Sequence, residues 1–168
     1  KTRDTTNVSS VWLWSNEKVA SGAHWQDIVI QLDTNNDAKF AYATSAKDEI
    51  IFTEKVSGYW KESTVTQGTN VGNYLDFILD SNNGKHIFHG TSVAAILESN
   101  TIGVWSQSTV GASRDFYSYS NSLAFGPNNK LHAAFRKQSD SPYYVSVTDD
   151  PSNQVRLDQN AKFGDEMA

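Results

Sequence analysis

Three stretches of this chain open alike: Trp14-Ser-Asn-Glu-Lys-Val19, Trp60-Lys-Glu-Ser-Thr-Val65 and Trp105-Ser-Gln-Ser-Thr-Val110, with the tryptophans 46 and 45 residues apart. A second landmark keeps the same period: Ile30-Gln-Leu-Asp-Thr-Asn-Asn-Asp37, Phe77-Ile-Leu-Asp-Ser-Asn-Asn-Gly84 and Leu123-Ala-Phe-Gly-Pro-Asn-Asn-Lys130. A third follows at once, as Ala38-Lys-Phe-Ala-Tyr42, Lys85-His-Ile-Phe-His89 and Leu131-His-Ala-Ala-Phe135. Three landmarks on one period of about 46 residues define a tandem repeat. Such a unit buries its apolar face only against a neighbouring copy of itself.

The local chemistry of each unit is that of short antiparallel strands. Asp27–Leu32 and Tyr74–Leu79 are rich in β-branched and aromatic residues. The Asn-Asn-Asp and Asn-Asn-Gly segments tolerate the positive φ that a tight hairpin needs. Lys39–Ala43 and His86–His89 run back, and Glu49–Thr53, Val93–Leu97 and Tyr143–Val147 supply a third strand. The Trp-led segment supplies a fourth. Helical periodicity is nowhere sustained; Ser92–Leu97 is too short and sits at a strand position.

The predicted class is all-β: three tandem four-stranded antiparallel blades of a β-propeller. The expected divisions are an N-terminal arm over 1–10, blades over 11–58, 59–103 and 104–153, and a polar tail or incomplete blade over 154–168. Propellers close with roughly four to eight blades, so three do not form a ring. A fourth unit should open with Trp near position 155, where the chain has Gln154-Val-Arg-Leu-Asp158. Either two copies pair into a six-bladed ring, or the chain is one piece of a longer propeller, or Val8–Leu13 caps an open stack.

The pattern Trp…Val, then Leu-Asp-x-Asn-Asn, then x-His-Ile/Ala-x-aromatic, resembles the Asp-box (BNR-like) repeats of sialidase-like propellers over residues 11–150. The resemblance implies a propeller fold shared by lectins, glycosidases, polysaccharide lyases and non-catalytic modules of secreted bacterial proteins. Asp33 and Asp80 hold the Asp position, Gly126 replaces it in the third copy, and none of the three turns carries the Trp of a sialidase Asp-box.

Composition narrows the function. With 38% hydrophobic and 20% charged residues in 168, the chain is globular. A net charge of -5 with no basic run argues against nucleic acid and anionic membranes. There is no apolar run near the roughly 18 residues of a membrane helix. Absence of cysteine excludes disulfides, thiolate metal sites and a cysteine nucleophile. The chain starts at Lys1, and a removed signal peptide is one explanation, giving an expectation of secretion.

No catalytic constellation stands out. The four arginines, Arg3, Arg114, Arg136 and Arg156, match no sialidase motif, and nothing selects a carboxylate pair for glycoside hydrolysis. Asp33-x-Asn35-x-Asp37 matches the opening of a calcium loop, but Thr stands at the closing position 44, so a hairpin turn explains it and no metal or cofactor is expected. Lys39, His86 and His132 share one repeat position, suited to a ring of cations facing a sugar acid or to hydrogen bonding inside each blade. His86 and His89 fall on opposite sides of a strand, a poor arrangement for a shared metal.

The aromatics remain. Trp14, Trp60 and Trp105 recur, Trp25, Tyr59 and Tyr74 accompany them, and Trp12 and Trp25 lie outside the repeated pattern. Aromatic planes stack on the C–H faces of sugars, while Asp33 and Asp80 would hold hydroxyls; the competing reading packs each Trp between sheets. The function expected is a carbohydrate-binding module. The alternatives are part of a sialidase-like glycosidase or polysaccharide lyase completed from outside the chain, and a non-catalytic protein-interaction propeller. The expected partners are a carbohydrate, and a second copy or the remainder of a longer propeller.

Overall fold

Strands that pair in hairpins and pack on both sides need apolar residues on both faces; strands at a free surface need them on one. Both patterns occur here. The computed structural model describes residues 16–20, 25–44, 48–112, 121–136, 142–146 and 155–157. These residues form twelve strands and one 3-10 turn, Pro127–Asn129, in three antiparallel meanders. The first sheet is β1 (Trp25–Leu32), β2 (Ala38–Thr44), β3 (Glu49–Val56) and β4 (Tyr59–Gln67). The second is β5 (Asn73–Leu79), β6 (Lys85–Gly90), β7 (Ala94–Asn100) and β8 (Ser106–Ala112). The third is β9 (Asn121–Phe125), β10 (Leu131–Arg136), β11 (Pro142–Ser146) and β12 (Val155–Arg156).

The first hairpins of the three sheets share backbone features. The first hairpin of each sheet closes with Leu32↔Ala38, Leu79↔Lys85 and Phe125↔Leu131. Within each turn the first residue's amide donates to the carbonyl of the last: Asp33 to Asp37, Asp80 to Gly84, and Gly126 to Lys130, at 2.8–3.0 Å. Asn36, Asn83 and Asn129 take φ of 64°, 62° and 58°, a left-handed conformation that asparagine tolerates better than most residues. Even an irregularity recurs: Asp27 and Tyr74 hold one repeat position, have φ of 45° and 51°, and sit where the pairing of β1 and of β5 shifts register.

The phase of the repeat differs from the sequence divisions. Tyr59–Gln67 pairs with β3 and Ser106–Ala112 with β7, so each Trp-led strand closes a sheet, whereas divisions at 59 and 104 open a unit there. The tryptophan is the easiest mark to see, but a hairpin joins its strand to the one before. Val155–Arg156 closes the third sheet on β11 without any tryptophan. The arm at 1–10, the cap at Val8–Leu13 and the tail beyond 157 lie outside the described residues.

The sheets stack in chain order. One cluster joins Ala41, Ile50, Phe52 and Val65 of the first sheet to Leu75, Phe77 and Ile87 of the second. The other joins Phe88, Ala95, Leu97 and Val110 of the second sheet to Leu123, Leu131, Ala133 and Phe135 of the third. Sheet two is therefore covered on both faces, which is why Ala94–Glu98 of β7 is buried without alternation. Ring pairs mark the two interfaces, Phe52 on Phe77 at 5.7 Å and Phe88 on Phe135 at 5.8 Å. The chain crosses between the first two sheets at Gly72, where φ is 77° and a Cβ would lie 2.5 Å from that of Ala43.

Polar latches fix how neighbours slide. Asn83 accepts from the Thr34 amide at 3.1 Å and donates to the Thr34 hydroxyl at 2.9 Å. One unit later Asn129 donates to Ser81 Oγ at 2.9 Å. Asp27 accepts from the Tyr74 amide, Asp76 accepts from the Leu123 amide, and Asn121 donates to the Tyr74 carbonyl. We expect Asn83→Ala to destabilise by about 1–2 kcal/mol in chemical denaturation, from lost exposed hydrogen bonds plus left-handed strain. Asn83→Gly should cost less, because it loses the latch but keeps the φ; equal stability of all three forms would show that the latch contributes nothing.

Candidate functional site

The first-sheet hairpin between β3 and β4 turns on Ser57 (φ 53°) and Gly58 (φ 85°) between Val56 and Tyr59. Two successive positive φ values make the two-residue turn whose twist matches the strands. The turn delivers Tyr59 and Trp60 side by side at the start of β4. Successive strand residues point to opposite faces. Tyr59 is 79% exposed, whereas Trp60 folds onto the sheet and meets Phe40 edge-on at 5.3 Å.

Residues 16–20 pass in front of this corner. Together with Gly58, Tyr59, Trp60 and Glu62, Glu17–Ala20 lines an open cleft of about 490 Å³. The Lys55 ammonium lies 5.0 Å above the Trp60 ring and 2.6 Å from Glu17 Oε2, tying the strand hairpin to the passing segment. The Tyr42 hydroxyl donates to Glu62. Burial, and then the Glu62 carboxylate, push the Tyr42 pKa far above its ordinary value, so Tyr42 stays a neutral donor that orients Glu62. Trp60 Nε1 is buried and has no acceptor among the described residues. Beside the cleft, Val19, Ala20, Ile28, Phe40 and Tyr42 line a smaller apolar recess of about 180 Å³. The cleft thus offers two aromatic rings, two carboxylates and the Lys18 ammonium.

The other residues singled out in the sequence are placed differently. Trp105 packs in the first inter-sheet cluster, 5.9 Å edge-on from Phe52, which is the packing alternative. Tyr74 is 41% exposed, and its backbone carries latches to both neighbouring sheets. Trp25 starts β1, with its side chain outside the described residues, and Trp12 and Trp14 lie outside them altogether.

Asp33 and Asp80 cap their own hairpins. Asp33 Oδ1 accepts from the amides of Asn35 and Asp37, and Asp80 Oδ1 from those of Asn82 and Gly84, at 2.7–2.9 Å. The Asp33 pKa is held down by the Asp37 amide first; for Asp80, burial pushes up but the Gly84 and Asn82 amides outweigh it. Among the described residues no group of three His, Asp or Glu is placed to hold a metal ion.

Lys39, His86 and His132 are drawn into their turns rather than grouped around a shared opening. Lys39 is buried, 3.3 Å from Asp33 and 3.5 Å from Glu54, and Glu54 also meets Lys85 of the next sheet at 3.2 Å. His86 lies 3.5 Å from Asp80, 3.0 Å from Ser99 Oγ and edge-on to Phe125 of the third sheet. His132 fills the place of the missing third aspartate: its Nε2 is 2.6 Å from where a Gly126 Cβ would stand. His89 faces the other way, with Nδ1 accepting from the Gly72 amide at 3.3 Å.

Trp60 is legible in the sequence as a repeated aromatic, but nothing in the order of residues groups it with Glu62, Glu17 and an exposed Tyr59. The Ser57-Gly58 dipeptide between strand-like runs was the available signal, since Ser-Gly marks a turn.

No protein-family model matches this sequence, and no curated protein matches it. A solved structure does match: that of a fucose lectin from Kordia zhangzhouensis in complex with methyl-fucoside, with a TM-score of 0.53. The chain is similar in fold to a fucose lectin. The superposition covers 77% of this chain and 96% of the Kordia lectin chain at 14% identity. At that identity the likeness to the Kordia lectin is one of strand arrangement.

Acid should loosen the second hairpin. Burial first, against the opposing pull of Asp80, lowers the His86 pKa below 6.5. The unfolded chain therefore takes up the proton before the folded one. The His86 contribution is full above pH 6.5 and declines as pH falls below it, until the folded imidazole also titrates. Asp33 and Asp80 add a loss below their ordinary 3.8, as pH falls through their lowered folded values. His86→Gln should flatten the fall of unfolding free energy just below pH 6.5; an unchanged slope would show that another group carries it.

Proposed function

We propose that the protein is a carbohydrate-binding module whose three sheets are consecutive blades of a β-propeller, and that the cleft at Tyr59, Trp60, Glu62 and Glu17 takes the sugar. The observation that carries the reading is the composition of that cleft. A sugar presents a C–H face and a rim of hydroxyls. Aromatic rings cover the former, and the Glu62 and Glu17 carboxylates in the same lining are placed to accept from the latter. The cleft has the size of a small-ligand site and is open to water on one side.

The meander order of all three sheets and their face-to-face succession support the blade assignment. So does the close approach of the first strands, β1 to β5 and β5 to β9. The likeness in fold to the Kordia lectin makes fucosides the first class to test. Recognition without turnover is favoured because both cleft carboxylates are already engaged, Glu17 by the Lys55 ammonium and Glu62 by the Tyr42 hydroxyl.

The test is a glycan array that includes fucosylated glycans, followed by calorimetric titration with methyl-fucoside and with any glycan that gives a signal. Binding should fall by about tenfold or more in Trp60→Ala, the scale of a lost aromatic contact with its buried area. Cooperative unfolding of the variant should be retained. Undiminished binding by Trp60→Ala would place the site elsewhere, and an array without signal would end the carbohydrate reading.

A further inference from the structure

The repeat lets one face of the molecule be judged against its own copies. Ile28, Ile30, Leu32 and Phe40 of the first sheet hold the positions of Leu75, Phe77, Leu79 and Ile87 of the second, 47 residues on. In the second sheet these residues pack on the first, with Phe77 and Ile87 at 0% exposure. In the third sheet the same positions are Leu123, Phe125 and Ala133, and they pack on the second. In the first sheet no sheet among the described residues precedes them: Ile28, Ile30 and Leu32 stand 54%, 54% and 57% exposed. A row of large aliphatic residues at a solvated position has no local reason to persist.

Part of that face already carries what a preceding sheet would supply. Val19 holds the position of Val65 and Val110, fourth-strand residues that are buried against the next sheet. Val19 and Ala20 lie beside Ile28, Phe40 and Tyr42, as Val65 clusters with Leu75. What is left open, at Ile30 and Leu32, is the area that the first strands of a preceding sheet would cover.

We propose that the leading face of the first sheet is closed by the third sheet of a second copy, head to tail, so that two chains complete a six-sheet ring. The face repeats an interface the chain makes twice internally, which argues that its occupant is another such sheet. Among the described residues only the third sheet lacks a follower. Six lies within the range of propeller closure and three does not. A twofold axis satisfies both open ends at once, with no filament. This inference rests on the blade assignment and not on sugar recognition, so a silent glycan array leaves it standing.

The join has one identifiable weakness. The internal interfaces are latched by Asn83 to Thr34 and by Asn129 to Ser81. The corresponding residue of the third sheet is Pro127, which has no hydroxyl to offer the exposed Asn36 of the next copy. The dimer should therefore dissociate on dilution.

Sedimentation velocity across a dilution series is the test. The wild type is expected at twice the chain mass of 18.6 kDa, shifting to one on dilution. Ile30→Glu, and independently Leu32→Lys, should stay at the single-chain mass with cooperative unfolding intact; neither residue lines the sugar cleft. Pro127→Ser should tighten association about fivefold to a hundredfold, one recovered hydrogen bond at each of the two joins. A wild type monomeric at every concentration, or an Ile30→Glu chain of unchanged mass, overturns the proposal. An isologous pairing of two leading faces would respond to Ile30→Glu but not to Pro127→Ser, and that result overturns the head-to-tail join.

Discussion

Burial of one sheet face against the next organises everything else in this chain. A four-stranded meander of about forty residues cannot bury both faces by itself, and a chain of that size buries too little surface to be independently stable. Here the second sheet is the keystone: Phe77 and Ile87 bury forward onto Phe52, while Phe88 and Leu97 bury backward onto Phe135 and Leu123. At about 25 cal/mol per Å² of apolar surface, each large side chain buried in this way contributes a few kcal/mol, well above any single latch. The latches at Asn83 and Asn129 serve a different purpose. Apolar faces slide; two hydrogen bonds from a turn to its neighbour choose one offset, and the repeat of that offset keeps the stack regular.

Much of this was written plainly in the order of residues. The Asn pair at 35–36, 82–83 and 128–129 marks three hairpins, and the second Asn of each takes the same left-handed φ. Strand content and antiparallel pairing followed from the alternation around those turns. The phase did not follow, because a period is blind to where a unit begins: Trp60 and Trp105 look like openings but belong to closing strands. The cleft was half legible. Trp60 stood out as a repeated aromatic, whereas Glu17 reaches it only because residues 16–20 cross back over the first sheet. That approach is a tertiary fact with no local signature. Lys39 and His86 misled in the opposite direction. A shared repeat position suggests a shared opening, yet each is turned toward the aspartate six residues before it.

The three turns also show how a repeat can diverge without losing its shape. In the first unit Asp33 caps the turn and pairs with Lys39; in the second Asp80 caps it and meets His86. In the third both the acid and its role are gone. Gly126 leaves space, the His132 imidazole occupies it, and Pro127 begins a 3-10 turn that needs no carboxylate cap. Proline is well suited there, since its fixed φ matches the first residue of such a turn and its missing amide is not needed. The backbone bond from Gly126 to Lys130 survives at 2.8 Å, and Asn129 keeps its positive φ. Backbone geometry is thus the conserved quantity among the copies, and the side-chain pair is one of two ways to hold it.

The divergence falls at one end of the stack, and this has a physical consequence. Inside the chain, a hydroxyl at Thr34 or Ser81 faces a sheet that is tethered by a short linker, so the latch forms at high effective concentration. At the third turn no tethered sheet follows among the described residues. A hydroxyl at 127 would then be satisfied by water, and proline stiffens the turn by restricting the unfolded chain. The loss of the latch and the gain of rigidity are thus one substitution seen from two sides. Among the described sheets the third gives up the latch that a tethered neighbour makes strongest, and keeps the apolar positions at Leu123 and Phe125 that pack on the second sheet.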